Sequence, residues 1–471
     1  MLDETQTQEG VKEITLKKFS TMQLLNFCLG FFGLQFAWQM RIILSGPVTE
    51  GLGASPLLFG LIWLAGPVTG MLVQPIVGAM SDKTHTRFGR RVPYLFLGAL
   101  FASIALWLFP NSAILSEKIA SVLHVPEPVF GGLIIAAIMI WVIDACVNVA
   151  QGPYRALVPD VVPPEQHSLA NAYLSFAIGL GSVIAAGTAP FLRYVCNIQI
   201  SIEAQFVMAA LAFFLAMTWT CITIKEPKAP VKTEEKKEEV KDEKPFMKRV
   251  AEFFVSSPEV TKICVMQLFT WVGIMSLFIF FTQYVSHTVF GIPDLTNSSE
   301  EVKELYATTL VTSTNFASIC FAIQNLICFL VAIPIGLLST KYGNKKVHFI
   351  SLISLVLAFL GMGFFTQNQT LILLLMSLAG IGWASILALP FAMLTEYIQK
   401  GTEGSVMGIF NIFIAGPQVL VCTLLAWFIS KCSFTVERGI NYHWEYAFFI
   451  GAAMLLAAAI ITYSIKEKQA E

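Results

Sequence analysis

The sequence predicts an all-α membrane protein whose twelve transmembrane helices form two six-helix halves. Of the 471 residues, 56% are hydrophobic and only 13% are charged, whereas ordinary soluble domains are about 25% charged. A span needs about 20 mainly apolar residues, and the chain holds enough for about a dozen spans. So few charges exclude a soluble enzyme, and a net charge of −1 argues against binding to nucleic acid.

Twelve apolar stretches follow one another along the chain, six on each side of a hydrophilic segment. The first six lie at about 20–43, 57–80, 93–110, 129–158, 168–195 and 203–224. The second six lie at about 258–283, 310–338, 346–366, 370–396, 403–430 and 443–465. We therefore predict two bundles, 20–224 and 258–465.

Three polar segments flank these bundles. The stretch 225–257 opens with charges of both signs and two prolines, which is typical of a solvated linker. The tails are 1–19 and 466–471, and the first of them lacks the apolar core and cleavage site of a signal peptide. We expect the linker and both tails to be cytoplasmic.

Lysines and arginines predict the orientation, because positive residues stay on the cytoplasmic side during insertion. With the N-terminus inside, the inner loops hold the linker cluster and Lys83, Arg87, Arg90, Arg91, Lys341, Lys345 and Lys346. The outer loops hold only Lys118, Arg193, Lys303, Lys431 and Arg438. This bias predicts that both termini face the cytoplasm, and a bacterial inner membrane or a plasma membrane fits best.

The two halves share a motif after their second span. The first copy reads Pro75-x-x-Gly78-x-x-Ser81-Asp82 and continues to Gly89-Arg90-Arg91; the second reads Pro334-x-Gly336-x-x-Ser339 and continues to Gly343-Asn344-Lys345-Lys346. Repeated halves place a substrate site between them near the bilayer midplane, and rocking of one half against the other gives alternating access. The architecture therefore predicts a carrier.

Charged residues in the first copy of this motif are candidates for gating. Asp82, Arg90 and Arg91 would pair with neighbouring helix ends in one conformation and release them in another. The alternative is that they only set the topology, because isolated surface ion pairs are weak.

The fourth span carries a polar stripe. Asp144, Asn148, Gln151 and Arg155 are separated by four, three and four residues, which places them on one face of a helix. An ionisable group at this depth costs about 2.5–3.5 kcal/mol, so it usually lines a pathway or pairs internally. Because burial disfavours a charged carboxylate, Asp144 is a candidate proton carrier, and a structural ion pair is the alternative.

Several segments resemble known transporter families. The glycine spacing and charges of the loop at 78–91 resemble the signature of the major facilitator superfamily. Five segments carry a narrower resemblance: LQFAWQM (34–40), SPLLFGLIWLAGPVTGMLVQPIVGAMSD (55–82), TRFGRRVPY (86–94), IDACVNVAQGPYRALVPD (143–160) and ANAYLSF (170–176). They resemble the sucrose–proton symporters of plants and the related glycoside-pentoside-hexuronide sugar carriers, mainly over the first six spans.

The resemblance implies proton-coupled uptake of a sugar, such as sucrose or a maltose-like glucoside. The protonatable acid of the family falls on Asp144 and its required arginine on Arg155. Two features depart from the plant pattern. The seventh span, FIFFTQYVSHTVFG (278–291), lacks acids and arginines, and Arg41 adds a charge to the first span. Arg41 would pair with Glu50 or Asp144, or would bind the carboxylate of an acidic sugar.

Sugars are usually held by amide and hydroxyl groups together with an aromatic face, and several spans offer these groups. The candidates, besides the fourth span, are Gln35, Trp38, Gln39, Trp63, Asn171, Ser175, Ser182, Gln267, Trp271, Asn325, Trp383, Asn411 and Gln418. The alternatives are that the tryptophans anchor span ends at the membrane interface and that the amides link helices.

Other functions lack support in the sequence. It contains no P-loop, GxSxG or HExxH motif, and its histidines and nine cysteines show no metal-binding spacing. We therefore expect no metal, cofactor or enzymatic activity, and a monomer whose partners are a sugar, a proton and membrane lipid. An uncoupled facilitator, a ligand sensor, a carrier of acidic solutes and sodium coupling remain open alternatives.

Overall fold

The computed structural model describes residues 18–126, 131–226, 258–296, 298–397 and 403–466. Within these ranges it contains fifteen α-helices and one β-hairpin. The helices are α1 (Thr21–Gly51), α2 (Pro56–Trp63), α3 (Ala65–Lys83), α4 (Val92–Leu108), α5 (Ser112–Leu123), α6 (Gly131–Val161), α7 (His167–Tyr194), α8 (Ile202–Thr223), α9 (Pro258–Gln283), α10 (Glu300–Tyr342), α11 (Asn344–Phe364), α12 (Gln369–Thr395), α13 (Glu403–Leu420), α14 (Ala426–Lys431) and α15 (Tyr446–Ser464). The strands are β1 (Ser433–Val436) and β2 (Gly439–Tyr442).

Twelve helical segments of the described chain are long and apolar enough to cross a membrane, which confirms the predicted number of spans. The third and eighth segments, Val92–Leu123 and Glu300–Tyr342, extend beyond the predicted ranges 93–110 and 310–338. The third span continues because the 3₁₀ turn Phe109–Asn111 leads directly into α5. The eighth begins early because acidic side chains in the first turn of α10 favour the helix N-terminus.

Two spans contain a segment of π-helix. The chain leaves α9 through the π-helix Tyr284–Val289, and the π-helix Val421–Leu425 joins α13 to α14. Such segments widen the helix locally and frequently occur at functional sites. The first of them contains His287, in the span whose composition departs from the plant pattern.

The chain divides into two compact units. Unit 1 comprises the chain up to Arg41, Thr69–Ala185 and the chain from Gln199 to the linker. Unit 2 comprises Ile42–Val68, Ala186–Ile198 and the described residues from Pro258 onward. The first, second and fifth spans therefore contribute to both units, which differs from a division at the linker alone. Most of the predicted linker 225–257 and most of both tails lie outside the described residues.

Close helix packing in each unit depends on glycines. In unit 1, an added Cβ at Gly98 of α4 would lie 2.7 Å from the carbonyl oxygen of Cys146 in α6. In unit 2, an added Cβ at Gly60 of α2 would lie 2.3 Å from the carbonyl oxygen of Cys422 in the second π-helix. Both positions require glycine because the neighbouring atoms belong to backbone, which yields less readily than a side chain.

One short β-hairpin accompanies the predicted helices. Strands β1 and β2 pair in antiparallel register from Ser433 opposite Tyr442 to Val436 opposite Gly439. The turn uses Gly439 at a φ of 145°, which favours glycine. The hairpin leads directly into Trp444 and α15, and so positions aromatic and polar side chains at the end of unit 2 that holds the C-terminal end of α9.

Candidate functional site

The centre of unit 1 holds a buried ion pair between α1 and α6. Nη2 of Arg41 donates to Oδ2 of Asp144 at 2.6 Å, and the two side chains are only 2% and 3% exposed. Removing one partner of such a pair typically costs about 3–5 kcal/mol, because the remaining charge stays buried without compensation. A change in the charge of Asp144 therefore changes the electrostatic compensation of Arg41.

This contact resolves which group lies beside Arg41. Of the two carboxylates that the sequence offers, Arg41 contacts Asp144, whereas Glu50 contacts His287 in unit 2. The sequence alone could not decide between Asp144 and Glu50 as the partner of Arg41, because the answer depends on how α1 packs against α6.

Beyond Asp144, toward the C-terminal end of α6, the polar stripe takes part in a hydrogen-bonded network. Nε2 of Gln74 in α3 donates to Oδ1 of Asn148 at 2.5 Å and to Oε1 of Gln151 at 3.5 Å. Nδ2 of Asn148 donates to Oγ1 of Thr69 at 3.0 Å. Thr69 and Gln74 were missed by the sequence analysis, although Gln74 directly precedes the motif that begins at Pro75.

Arg155 extends the same stripe but has a different environment. It lies eleven residues beyond Asp144 in α6, which is about 16 Å along the axis. Its side chain is exposed, and no carboxylate of the described residues lies within ion-pair distance. Its neighbour Tyr154 is fully buried and donates to the carbonyl of Phe27, which fixes α6 against α1 at this level.

The other candidates in unit 1 differ in their surroundings. Gln39 of α1 is buried, whereas Gln35 and Trp38 are half-buried. Asn171 of α7 is exposed, and its amide donates to the carbonyl of His167 in its own helix at 2.9 Å. The structure therefore places the α1 candidates in more enclosed positions than Asn171.

Unit 2 holds an aromatic cluster around the candidates Trp271 and Trp383. The two indole rings meet edge to face at 6.0 Å, and Phe278 contacts Trp383 at 5.0 Å. The amide of the candidate Asn325 in α10 donates to the carbonyl of Phe321 at 2.8 Å. Phe321 in turn stacks on Phe278, which links α9, α10 and α12.

Two glutamines beside this cluster are buried without hydrogen-bond partners among the described residues. Gln267 and Gln324 are both 0% exposed, and both polar atoms of each amide are unpaired. Nε1 of Trp271 is unpaired as well. An unsatisfied buried polar group costs about 1–3 kcal/mol, so these groups are well suited to a ligand that offers hydroxyls. Gln324 was missed because the sequence does not show that its amide, unlike that of the adjacent Asn325, lacks a hydrogen-bond partner within the described chain.

The predicted gating residues form a connected ion-pair network in unit 1. Nη2 of Arg90 lies 2.5 Å from Oδ1 of Asp160, and Nε of Arg91 lies 3.0 Å from Oδ2 of the same carboxylate. Nη2 of Arg91 also contacts Oδ1 of Asp82 at 2.6 Å. Asp160 lies in the last turn of α6, so the network joins the loop after α3 to the end of the polar-stripe helix.

A second carboxylate, Glu226, stabilises the same loop. Its oxygens accept from the backbone N–H groups of Arg90, Arg91 and Val92 at 2.7–2.8 Å, which satisfies donors at the start of α4. Gly89 permits this arrangement because its φ is 109° and an added Cβ would lie 2.6 Å from the Glu226 carboxyl carbon.

The second copy of the motif has the same geometry with less charge. Nδ2 of Asn344 donates to Oε1 of Glu396 at 2.8 Å, just as the arginines contact Asp160. Lys345 donates to the carbonyl of Ile465 at 2.7 Å. The repeat noted in the sequence is thus visible in both units, but the second copy replaces an arginine by a neutral amide.

Comparison with known proteins supports this architecture. Residues 32–294, more than half of the chain, match the family described as MFS/sugar transport protein, and residues 302–471 match the Major Facilitator Superfamily. Sucrose transport protein SUC4 of Arabidopsis thaliana is 24% identical over 441 residues, covering 86% of this chain and 83% of that protein. The general alpha-glucoside permease of Schizosaccharomyces pombe is 27% identical over 277 residues, covering 56% of this chain and 48% of the permease.

A solved structure shows the same fold. A variant of the nucleoside transporter NupG superposes with a TM-score of 0.68 at 13% identity, covering 94% of this chain and all of that one. The family match, the twelve apolar helices and the repeated motif agree with one another. The chain is a multi-pass integral membrane protein that belongs to the sugar transport proteins of the major facilitator superfamily.

Proposed function

We propose that this protein is a proton-coupled symporter of a neutral glucoside or disaccharide, such as sucrose or maltose, and that Asp144 is its proton-coupling group. The observation that carries the proposal is the buried Arg41–Asp144 pair on the polar stripe of α6. The substrate class follows the names of the relatives, which are sucrose transport proteins and an alpha-glucoside permease.

Coupling follows from the charge balance of the pair. While Asp144 is ionised, it compensates the charge of Arg41, and Nη2 of Arg41 donates to the carboxylate. A proton on Asp144 cancels that attraction and leaves a guanidinium whose donors can bind sugar hydroxyls. Release of the sugar and the proton on the cytoplasmic side restores the pair. Sugar binding and protonation therefore favour each other.

Further groups would recognise the sugar. Asn148, Gln151 and Arg155 continue the polar stripe, with Gln35, Trp38, Gln39 and Asn171 as secondary candidates in unit 1. In unit 2, Gln267 and Gln324 offer amides without protein partners, and Trp271 and Trp383 offer aromatic faces beside them. Amides suit the hydroxyls of a sugar and aromatic faces suit its apolar C–H surface.

The network of Asp82, Arg90, Arg91 and Asp160 would act as a gate on the cytoplasmic side. Ion pairs at an exposed surface are worth little individually, but Arg91 is 7% exposed and bridges two carboxylates. We assign both termini to the cytoplasm from the lysine and arginine bias, and we expect a monomeric carrier without cofactor or enzymatic activity.

A carrier of an acidic sugar or another small anion is a second candidate. Arg155 favours it, because this exposed cation lies in a span and no described carboxylate pairs with it. Arg41 is a weaker anion site, since Asp144 already occupies its guanidinium. The two candidates differ in the charge of the substrate, so one assay separates them.

Uptake into proteoliposomes tests the proposal. A panel of neutral sugars and sugar acids is offered under an imposed inward proton gradient, with a sodium gradient in a parallel arm. We expect uphill accumulation of a neutral glucoside that a protonophore abolishes, and we expect Asp144→Asn to lose accumulation but to retain exchange. Uphill uptake by Asp144→Asn equal to that of the parent would refute the role of Asp144.

A further inference from the structure

Unit 2 contains a second buried pair of titratable groups, between the end of α1 and the π-helix that follows α9. Nε2 of His287 lies 2.9 Å from Oε2 of Glu50, and these side chains are 2% and 13% exposed. Nδ1 of His287 lies 2.9 Å from the carbonyl oxygen of Ile292. The imidazole ring also stacks on Trp444 at 5.7 Å with an interplanar angle of 19°. The ring is therefore held on three sides.

These contacts fix the number of protons in the pair. A backbone carbonyl only accepts, so Nδ1 of His287 must carry a proton for its bond to Ile292. In a neutral imidazole the other nitrogen would then present a lone pair to the Glu50 carboxylate, and two acceptors do not bond. The contact at 2.9 Å therefore requires one more proton, on His287 or on Glu50.

Other titratable groups surround this pair. One cavity is lined by Glu50, Gln283, His287, Asp294, Tyr442 and Trp444. Asp294 adds a second carboxylate facing this site, and no lysine or arginine of the described residues pairs with Glu50. Burial, together with the charges of Asp294 and Glu50, raises the pKa of Tyr442 to about 12, so the phenol stays neutral. The free Oε1 of Glu50 has no hydrogen-bond partner among the described residues.

The pair also joins segments that are distant in sequence. Glu50 lies in the last turn of α1, whereas His287 lies near the end of the seventh span. Asn441 of β2 donates to the carbonyl of His287 at 3.0 Å, and the backbone N–H of Asp294 donates to Ile440 at 2.9 Å. Separation of Glu50 from His287 would therefore release the end of α1 from the π-helix and hairpin.

We propose that Glu50 and His287 form a proton-binding site, distinct from Asp144, that holds this end of unit 2 closed only while it carries its extra proton. With the termini in the cytoplasm, this end faces outward, so protons from outside favour its closure and their loss favours its opening. The proposal rests on the proposed carrier function for its role in transport. Its structural content, closure linked to a proton, is independent of transport.

Thiol accessibility in the full-length protein tests this linkage. Thr49 is fully buried beside Glu50 and lines the same cavity, so Thr49→Cys places a thiol that reacts only when this end opens. The background carries Cys196→Ser and Cys432→Ser, which remove an exposed and a half-buried thiol. The rate of labelling by a membrane-impermeant maleimide is measured between pH 5 and 9. The same background without Thr49→Cys gives the residual rate.

We expect labelling to be slow in acid and to accelerate with rising pH, since one linked proton changes the ratio of open to closed forms by up to about tenfold per pH unit. Glu50→Gln removes the extra proton but keeps a bond, because the glutamine amide donates to a neutral imidazole. Labelling of this variant should therefore stay slow at every pH. Its rate should change with pH only because the thiol itself ionises. That ionisation is common to parent and variant and cancels in their comparison.

The matched control is His443→Gln, which removes another histidine–carboxylate contact, to Glu445, from the same end of unit 2. It should keep the pH dependence of the parent. A parent profile that coincides with that of Glu50→Gln would overturn the proposal. If Glu50→Gln fails to fold, His287→Gln serves instead. It removes the imidazole of the pair and should likewise abolish the pH dependence. Proton-driven uptake that depends on Asp144, together with coincident labelling profiles of the parent and Glu50→Gln, would retain the symporter and reject this site.

Discussion

At the scale of residues, the Arg41–Asp144 pair determines what a substitution in the centre of α6 can do. Both side chains are almost fully buried, so each charge depends on the other for compensation. Loss of function in a single variant would therefore combine two effects, a lost chemical group and an unpaired buried charge. Replacing both residues by apolar side chains of similar size separates these effects.

We expect Arg41→Met to lower the free energy of unfolding by about 3–5 kcal/mol, because Asp144 would keep a buried charge without a partner. The double variant Arg41→Met with Asp144→Leu should recover most of that stability, since no buried charge remains, but it should not accumulate sugar. Thermal unfolding in detergent and uptake into proteoliposomes measure the two properties. Equal stability of the single and double variants would show that the pair is not energetically coupled.

The sequence predicted only part of this site. The spacing of Asp144, Asn148, Gln151 and Arg155 was sufficient to place them on one helical face, because that depends on local geometry alone. The partners Arg41, Thr69 and Gln74 come from other helices, so their contacts depend on packing. Gln324 illustrates the same limit, since only the structure shows that its buried amide lacks a partner.

At the scale of elements, the turn before α4 shows how one glycine supports several interactions. Gly89 has a φ of 109°, and Glu226 occupies the space where a Cβ would lie. The same carboxylate accepts three backbone N–H groups at the start of α4. Glycine at residue 89 therefore favours the turn that brings Arg90 and Arg91 to Asp160.

We expect Gly89→Ala to destabilise the protein by about 1–3 kcal/mol, because it combines an unfavourable φ with displacement of the Glu226 carboxylate. The matched control is Gly78→Ala in the same motif, where an added Cβ meets nothing within 4 Å. This control lies within α3, so alanine should leave stability unchanged or slightly improve it. Thermal unfolding of both variants measures the difference, and equal midpoints would contradict the role given to Gly89.

At the scale of the whole molecule, twelve spans were predictable because a membrane requires long apolar helices. The hairpin and the π-helices could not be predicted, because they depend on local turns and on packing. Contacts also divide the chain differently from its sequence halves, with residues 42–68 and 186–198 in unit 2. The repeated motif was recognised from its glycines, but only the structure shows how its two copies differ in charge.

The two copies of the motif differ in the side chain that follows their last glycine. Arg90 and Arg91 make charged contacts with Asp160, whereas Asn344 stands in the place of Arg90 and donates a neutral hydrogen bond to Glu396. Charged hydrogen bonds are roughly twice as strong as neutral ones, so Asp160→Asn should reduce the maximal rate of uptake about tenfold, and Asn344→Ala, which removes a neutral hydrogen bond, less than threefold. Initial rates in proteoliposomes, normalised to the amount of inserted protein, measure both effects.

Raised ionic strength should weaken the contact between Asp160 and the partly exposed Arg90 in the parent protein. It should have little further effect in Asp160→Asn, which has lost the charge of this carboxylate. Equal losses in the two variants would mean that the charge of the first copy has no special role in gating.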